Sequence, residues 1–323
     1  MWCLGALLIF LAIKKDMEPA LLLPMGFGAI LINIPFSGAE GVMSSLFAIG
    51  IEMNEIMPLV LFIGIGAMID FGPLLSNPKL FLFGGAAQFG IFLTILLAAA
   101  CGFSIEDAAS IGIIGAADGP TSIVVAQTLK SNYVGPIMVV AYSYMALVPI
   151  IQPAVIKLTT TKKERLIRME YKPASVSKRT KILFPILVTI VSGLIAPASL
   201  SLVGMLMFGN LIRECGVLNY LTDTAKDVLT NLVTLFLGIT IAFTMKAENF
   251  ITVQTLMIMG LGLCAFIFDT FSGVMLAKVM NLFLKEKINP MIGAAGISAF
   301  PMSARIVQKM GIKEDPTNHL LMH

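Results

Sequence analysis

The chain has 323 residues, of which 57% are hydrophobic and 13% are charged, and its formal net charge is +3. A soluble protein of this length carries about 25% charged residues, so this composition and the mean hydropathy of +0.92 predict a membrane protein. Both histidines, His319 and His323, lie at the C-terminal end, which excludes a histidine-based zinc or catalytic site elsewhere. The sequence contains no phosphate-binding loop, dinucleotide fingerprint or serine-hydrolase motif.

Apolar tracts long enough to cross about 30 Å of hydrocarbon recur along the whole chain. The predicted membrane segments are 1–13, 21–35, 56–70, 80–101, 110–128, 134–158, 182–196, 198–214, 228–244, 251–268, 269–284 and 290–310. The first segment precedes Lys14 and Lys15, which is the reverse of a secretory signal, so it is interpreted as a short membrane segment. These patterns predict an all-α polytopic membrane protein.

One long polar stretch, residues 157–181, divides the chain into a first membrane half (1–156) and a second (182–323). It contains nine basic residues and two acidic ones. The positive-inside rule places this linker in the cytoplasm, and a solvated linker on either face is the alternative. Lys14 and Lys15 point to the cytoplasm as well.

These two anchors require an even number of crossings between residues 15 and 157. Five predicted segments lie between them, so one of the five should not cross. Segment 110–128 is the best candidate, because Asp118-Gly119-Pro120 lies in its middle. Proline removes a backbone donor and clashes with the preceding turn, and glycine lowers helix propensity further. A re-entrant or discontinuous helix is therefore predicted here.

Short sequences recur in the same order in the two halves. The three matched pairs are Phe27-Gly28-Ala29 with Phe208-Gly209-Asn210, Leu61-Phe62-Ile63-Gly64-Ile65 with Leu235-Phe236-Leu237-Gly238-Ile239, and Ile114-Gly115-Ala116-Ala117 with Ile292-Gly293-Ala294-Ala295. With one non-crossing segment in the first half, the repeats run in opposite directions. This pattern predicts inverted repeats with paired sites at broken helices, one near Asp118 and one between Asn289 and Arg305.

Asp118 is the leading candidate for chemistry. A carboxylate at the bilayer centre costs about 2.5–3.5 kcal/mol on insertion scales, so such residues usually have a partner cation. The hydroxyls of Thr121 and Ser122, with carbonyls freed by Pro120, complete a set of hard oxygen ligands that suits Na⁺. The same carboxylate could carry a proton. It could also cap the half-helix after the break, and this role is compatible with the others.

The second candidate region begins at Asn289, which precedes Pro290 and has the pattern of a helix N-cap. Ser298 precedes a further break at Pro301, so its hydroxyl could join a cation site. Arg305 is interpreted either as a snorkelling residue at a segment end or as an anion-binding group.

Two other polar residues lie within predicted segments. Tyr144 could reach a polar cavity through its hydroxyl, and Asp269, at a predicted segment end, could line one with Thr270 and Ser272. An interfacial or hydrogen-bonded role is the simpler interpretation of each.

Four stretches resemble the β subunits of the biotin-dependent, sodium-pumping decarboxylases. Gly115–Ser122 is similar to the GGADGPT-type signature of that family, and Gly209–Gly216, Gly273–Asn281 and Asn289–Arg305 match it as well. The resemblance covers nearly the whole chain. It implies a membrane subunit that decarboxylates carboxybiotin and exports Na⁺ while it consumes an external proton.

The resemblance also implies partners and a location. A carboxyltransferase or biotin-carrier subunit would present the carboxybiotin, and a small membrane subunit would complete a complex that forms a homo-oligomer. The expected location is the bacterial cytoplasmic (inner) membrane, in contact with lipid and with no nucleic acid. The resemblance leads us to expect one more helix after His323, and small residues where Phe271 and Ser272 stand.

Residue by residue, the resemblance makes Asp118 the central Na⁺ and proton residue. The Na⁺ ligands it implies are Asp118, Thr121, Ser122, Asn289, Gly293 and Ser298. Arg305 and Asn289 would bind carboxybiotin, because a guanidinium pairs with carboxylates in bidentate fashion. Asp118, Arg305 and Tyr144 are the catalytic candidates. The alternative function is a stand-alone Na⁺/H⁺ antiporter or Na⁺-coupled transporter, which would need no biotinylated partner.

Overall fold

The computed structural model describes residues 1–15, 19–36, 38–53, 55–116, 118–169, 176–284, 286–321 and 323. The first nine α-helices are α1 (Trp2–Lys15), α2 (Pro19–Ile32), α3 (Ala39–Phe47), α4 (Ile56–Met68), α5 (Gly72–Ser76), α6 (Phe81–Ala100), α7 (Ile105–Gly112), α8 (Gly119–Thr128) and α9 (Val134–Thr159). The next eight are α10 (Lys162–Arg165), α11 (Lys178–Ile195), α12 (Leu200–Cys215), α13 (Asn219–Asp223), α14 (Thr230–Ile241), α15 (Ala247–Phe250), α16 (Val253–Phe283) and α17 (Phe300–Glu314). The described residues contain no β-strand.

Several helices are long and apolar enough to cross a membrane. Within the described residues, three continuous stretches qualify by length and composition: Pro78–Ala100, Asn219–Thr244 and Val253–Phe283. The number rises to five if each of two bent pairs is one span, namely Ala39–Glu52 with Ile56–Met68, and Val134–Met145 with Leu147–Thr159. Large apolar side chains such as Phe92 and Leu96 are 65% and 69% exposed, as lipid-facing residues would be. The prediction of an all-α multi-pass membrane protein is confirmed.

The predicted boundary between the membrane segments 251–268 and 269–284 was wrong. The sequence predicts separate segments 251–268 and 269–284, with Asp269 at a segment end, but α16 runs without interruption from Val253 to Phe283. The reason for the error is that a charged residue usually ends a membrane segment. Asp269 instead lies midway along the helix and is only 1% exposed, so it is an interior residue.

The chain forms two compact units, and the first comprises Met1–Ser76 and Ala174–Phe250. In this unit α1 packs on α2, α2 on α14, and α4 on α12. The repeated sequences make reciprocal contacts here: Gly28 of α2 lies against Ile239 of α14, and Gly209 of α12 lies against Ile63 of α4. Small residues let helix backbones approach closely. Each half therefore contributes a glycine-bearing helix that packs on a helix of the other half, while the inverted orientation of the repeats stays a prediction.

The second unit comprises Asn77–Pro173 and Ile251–His323, and its central element is α16. This helix packs against α6, α7, α9 and two 3₁₀ segments, Ile113–Ala116 and Pro290–Gly296. We call Ile113–Ala116 with Asp118 the Asp118 break, and residues 289–299 the Asn289 break. Each unit takes residues from both sequence halves, and the boundaries 1–156, 157–181 and 182–323 stay predictions for how the chain is organised.

Candidate ion-binding site

Asp118 lies between two short helices, α7 and α8, as the discontinuous-helix prediction requires. The Ile113–Ala116 segment follows α7 as a 3₁₀ turn, and α8 begins at Gly119. Asp118 has extended backbone (φ −122°, ψ 100°), and its Oδ1 accepts a hydrogen bond from the Thr121 amide at 3.4 Å. It is therefore the N-cap of α8, where the helix dipole favours a negative charge. Whether the segment crosses the membrane stays a prediction.

Two hydroxyl groups lie beside the Asp118 carboxylate and carbonyl. Thr121 Oγ1 donates to Asp118 Oδ2 at 2.6 Å, and Ser122 Oγ donates to the Asp118 backbone oxygen at 2.8 Å. These bonds use the hydroxyl protons, but the hydroxyl and carboxylate oxygens keep lone pairs for a cation. The structure thus brings together three of the predicted Na⁺ ligands, Asp118, Thr121 and Ser122, within one helical turn.

Tyr142 closes one side of the Asp118 break, and sequence reasoning missed it. Its ring lies so close to Gly119 that a Cβ there would overlap with it, and Asp118 interacts electrostatically with its hydroxyl. The Tyr142 side chain is 1% exposed, and its hydroxyl has no hydrogen-bond partner among the described residues. Its hydroxyl is therefore free to contribute to a polar site.

Tyr144, the candidate from the sequence, points to a different neighbour. Its hydroxyl donates to the Met259 carbonyl, and its ring lies against Gly262 of α16. Residues two apart on a helix point about 200° apart, so only one of the two tyrosines can face α8. The Tyr-Ser-Tyr sequence does not reveal which one does. A catalytic role for Tyr144 stays a prediction.

A second buried carboxylate lies next to the Asp118 break. The carboxyl group of Asp269 lies between Gly115, which belongs to that break, and Gly90 of α6. A Cβ on either glycine would be 2.5 Å from a carboxylate oxygen of Asp269. The sequence signal for this residue is a lone acid within a 31-residue apolar helix, which the predicted segment boundary obscured.

Asn289 caps the second 3₁₀ segment and also holds the start of the linker. Its Oδ1 accepts from the Met291 amide at 3.1 Å, and its Nδ2 donates to the carbonyls of Arg165 and Ile167, each at 2.9 Å. The N-cap interpretation is confirmed. Because both amide protons and the amide oxygen are engaged in this conformation, binding of Na⁺ or carboxybiotin by Asn289 stays a prediction.

Gly293 lies directly against Gly273 of α16, and a Cβ on either residue would overlap with the backbone of the other. In the same way, Gly115 lies against Ala265 and Asp269 of α16. Residues 265, 269 and 273 are spaced by one turn and share a face, so the two breaks contact α16 about 6–12 Å apart along its axis. The matched glycines of the two repeats thus occupy neighbouring turns of one helix.

The remaining two candidates are exposed. Ser298 lies in the turn before α17, and Arg305 lies on α17. Within the described part of the chain, neither side chain has a hydrogen bond or ion pair. The structure therefore leaves the Arg305 guanidinium open to an anion, and it does not place Ser298 in contact with the oxygens at Asp118.

Ion pairs fix the first part of the linker to α16 and to the end of α17. The pairs are Arg165–Glu314 at 2.9 Å, Arg168–Asp315 at 2.6 Å and Lys278–Glu164 at 3.1 Å. The hydrogen bond from Arg168 lowers the pKa of Asp315 to about 2. Partial burial opposes ionisation of Glu164, but hydrogen bonds from Thr161 and Lys278 outweigh it and lower the pKa of that carboxyl. Glu170 and Lys172 of the linker lie outside the described residues.

These features define an integral membrane protein with a cluster of oxygen atoms at a discontinuous helix. Comparison with known proteins then identifies the family. Residues 1–323 match the family of Na⁺-transporting oxaloacetate decarboxylase beta subunits, and the chain belongs to that family. It is therefore a membrane subunit of a sodium-pumping decarboxylase, and both Na⁺ and biotin take part in the activity of the family. The resemblance inferred from the motifs is confirmed, and a stand-alone transporter is not favoured.

The similar curated proteins cover three kinds of decarboxylase. The chain is 51% identical to methylmalonyl-CoA decarboxylase subunit beta of Propionigenium modestum, over 100% of this chain and 88% of the relative. It is 49% identical to glutaconyl-CoA decarboxylase subunit beta of Acidaminococcus fermentans, over 100% and 86%. It is 42% identical to the oxaloacetate decarboxylase beta chain of Klebsiella pneumoniae, over 100% and 89%.

Proposed function

We propose that this chain decarboxylates carboxybiotin presented by a partner subunit and couples that reaction to Na⁺ export with uptake of an external proton. The observation that carries the proposal is the oxygen cluster at the Asp118 break. A buried carboxylate is unfavourable unless a positive charge neutralises it. Among the described residues no basic side chain pairs with Asp118, and its neighbours Thr121 and Ser122 supply hydroxyl oxygens instead. This arrangement suits a small hard cation as cargo.

Exchange of Na⁺ for a proton follows from the chemistry of the same group. Na⁺ needs the ionised carboxylate, together with the lone pairs of the Thr121 and Ser122 hydroxyls. A proton on Asp118 removes the negative charge, so the affinity for Na⁺ falls and the ion leaves. Because both occupants neutralise the buried charge, the carboxylate can pass between them without remaining ionised and unpaired.

Arg305 is the residue that we propose binds the carboxylate of carboxybiotin. When bound, carboxybiotin supplies a carboxylate that leaves as CO₂ while biotin takes up a proton. The Arg305 guanidinium is exposed and free of acidic partners among the described residues, and a guanidinium binds carboxylates through two parallel hydrogen bonds. We further propose that Asn289, Gly293 and Ser298 complete the Na⁺ site and that Asn289 also binds carboxybiotin. Tyr144 is proposed as a further catalytic residue. For Asn289 this requires that its bonds to the linker carbonyls open.

The basic linker, residues 157–181, lies in the cytoplasm in this proposal, and the protein resides in the bacterial inner membrane. The excess of Lys and Arg in the linker supports this orientation. The partner that presents carboxybiotin, a carboxyltransferase or biotin-carrier subunit, then approaches from the cytoplasmic side. A small membrane subunit and further copies of this chain complete the proposed complex.

The test is Asp118→Asn in the complete decarboxylase complex in sealed vesicles. Asparagine keeps an N-cap acceptor for α8 but cannot take the negative charge. We expect ²²Na⁺ uptake and decarboxylation both to fall by about 100-fold or more, the scale on which loss of a proton-transferring group acts. Asp107→Asn is the matched control, because Asp107 bonds to Ser131 and Asn132 and lies outside the site. Normal pumping by Asp118→Asn would contradict the proposal.

A second experiment separates this function from a stand-alone Na⁺/H⁺ antiporter. The purified chain alone, in vesicles without biotinylated protein, is given opposing Na⁺ and proton gradients. We expect no exchange until the biotin-containing partner and its substrate are added. Exchange by the chain alone would favour the antiporter.

A further inference from the structure

The interior of the second unit contains a carboxyl group, that of Asp269, to which the proposed function gives no role. Asp269 lies midway along α16, a helix long and apolar enough to span a membrane, and is 1% exposed. Both carboxylate oxygens lack a hydrogen-bond partner. A buried polar group normally has one, and a buried charge has a counter-ion. Asp269 has neither among the described residues.

The nearest donors cannot satisfy this group. The amides of Gly90 and Ile91 point towards it, but both lie inside α6, where their protons bond to carbonyls one turn earlier. Neither meets hydrogen-bond geometry to Asp269. An ionised carboxylate here would be uncompensated in a low-dielectric site, which is unfavourable. The Asp269 carboxyl group is therefore stable only when a proton or a metal cation is bound to it.

The surrounding space favours a proton over a metal cation. Gly90 of α6 and Gly115 of the Asp118 break approach the carboxyl so closely that even a methyl group would be 2.5 Å from its oxygens. A hydrated ion does not fit there. A Cβ on Gly90 would be within 2.5 Å of both the Ala265 carbonyl oxygen and Asp269 Oδ1, so these two oxygens lie close together. Ala265 is one turn before Asp269 on α16. A protonated Asp269 thus has a backbone oxygen nearby to which it can donate after a small movement.

The titratable groups on the elements packed against Asp269 are few. Within the described residues of α16, α7 and α9 they are Cys264, Lys278, Glu106, Asp107, Tyr142, Tyr144 and Lys157, while α6 and both 3₁₀ segments contain none. None of these forms a hydrogen bond with the Asp269 carboxyl group. Asp118 follows Gly115 by three residues, which places the Cα atoms of Gly115 and Asp118 at most about 11 Å apart. Asp269 is thus a buried carboxyl group without a hydrogen-bond partner, close to the proposed Na⁺ site.

We propose that Asp269 is a second proton-binding site of the protein, which holds a proton in the membrane interior and relays the external proton that the proposed function consumes. The inference deepens the proposed function, on which it rests for the direction of proton flow. The relay is balanced: for each H⁺ that Asp269 releases towards the cytoplasmic side, it takes up one H⁺ from the external side.

The experiment combines infrared spectroscopy with transport, on the complete complex in vesicles. The wild type is compared with Asp269→Asn, Asp118→Asn and Asp107→Asn. We expect the wild type to show the C=O band of a protonated carboxylic acid at neutral pH. Asp269→Asn should lose this band, whereas Asp118→Asn and Asp107→Asn should keep it. Asp269→Ser is the second variant, because its hydroxyl can still donate to a carbonyl one turn earlier and so helps preserve the helix.

Transport then distinguishes a proton carrier from an inert buried acid. We expect both Asp269 variants to lose Na⁺ uptake by about 100-fold, as when a proton-transferring group is removed. The Na⁺ concentration for half-maximal activity should change by less than about twofold, because the oxygens at Asp118 are intact. An unchanged C=O band in Asp269→Asn would overturn the proposal. So would an Asp269 variant that lacks the band but has normal Na⁺ uptake with a normal pH profile. A wild type that decarboxylates without Na⁺ uptake would instead refute the proposed function, while the band would still report the protonation of Asp269.

Discussion

The two breaks contact the same helix, α16, but their capping residues lie at different places and have different partners. Each break has a 3₁₀ segment and a glycine against α16, but Asp118 follows its 3₁₀ segment and caps α8, whereas Asn289 precedes and caps its own 3₁₀ segment. Among the described residues, the Asp118 carboxylate accepts bonds only from Thr121, within its own helix turn. Asn289 instead donates both amide protons to Arg165 and Ile167 of the linker region. The first break therefore keeps a charge and lone pairs for a cation, whereas the second joins the unit to the linker.

The difference follows from the two side chains. A carboxylate is acceptor-only and has about four lone-pair positions, so two bonds leave it with capacity to spare. A carboxamide has two donors and one acceptor oxygen, and three bonds engage every polar atom of Asn289. The Asp118 carboxylate thus keeps acceptor capacity for the proposed cation, whereas the Asn289 side chain holds the linker.

The largest effect on stability is expected from Asn289→Asp. It removes both donors and places a buried carboxylate against the carbonyls of Arg165 and Ile167. We expect a loss of about 3–5 kcal/mol, typical of an unpaired buried charge. The measurement is the thermal unfolding midpoint in detergent. Asp118→Asn, the reciprocal change, should leave the midpoint nearly unchanged, and a comparable loss in both variants would refute the distinction.

Parts of this arrangement could be predicted from the sequence. Pro120 and Pro290 mark the breaks, and Asp118 and Asn289 have the pattern of caps because they precede helical starts. The face on which Tyr142 lies, and the placement of Gly115 and Gly293 on one helix, depend on tertiary contacts that no local pattern encodes. Asp269 was misplaced because a charge in an apolar run predicts a segment end unless its burial is known.

Glycine substitutions provide the next test, since both breaks depend on close approach to α16. Gly293→Ala places a Cβ against the Gly273 backbone, and Gly115→Ala places one against Ala265 and Asp269. Overpacking of this kind costs about 1–3 kcal/mol. We expect both variants to lower the unfolding midpoint. Gly260→Ala is the control, because its Cβ would meet no atom within 4 Å. An equal loss in the control would remove the packing argument.

A smaller effect is expected from Thr121→Val, which removes the hydroxyl that bonds Asp118 Oδ2. The loss of one such hydrogen-bonding group is worth about 1 kcal/mol, or roughly a fivefold weaker apparent affinity for Na⁺. The measurement is the Na⁺ dependence of decarboxylation by the complex. Thr94→Val serves as the control, because the Thr94 hydroxyl is buried without a partner and its removal should be neutral. An unchanged Na⁺ dependence in Thr121→Val would exclude this hydroxyl as a ligand.

The smallest expected effect is the pH dependence of the linker contact at the Asn289 break. The hydrogen bond from Arg168 lowers the pKa of Asp315 to about 2, whereas a free aspartate titrates near pH 3.9. A carboxyl whose pKa is lowered by folding stabilises the folded contact above the free pKa, and the contribution disappears as pH falls through the lower value. The contact should therefore be constant near neutral pH and loosen between about pH 4 and 2. Because Arg168 is 67% exposed, solvent and salt screen the pair and keep the effect small. Cleavage of residues 160–169 by an acid-active protease should accelerate across this range in the wild type. Asp315→Asn should remove that step, and an identical acid step in the variant would assign it to another group.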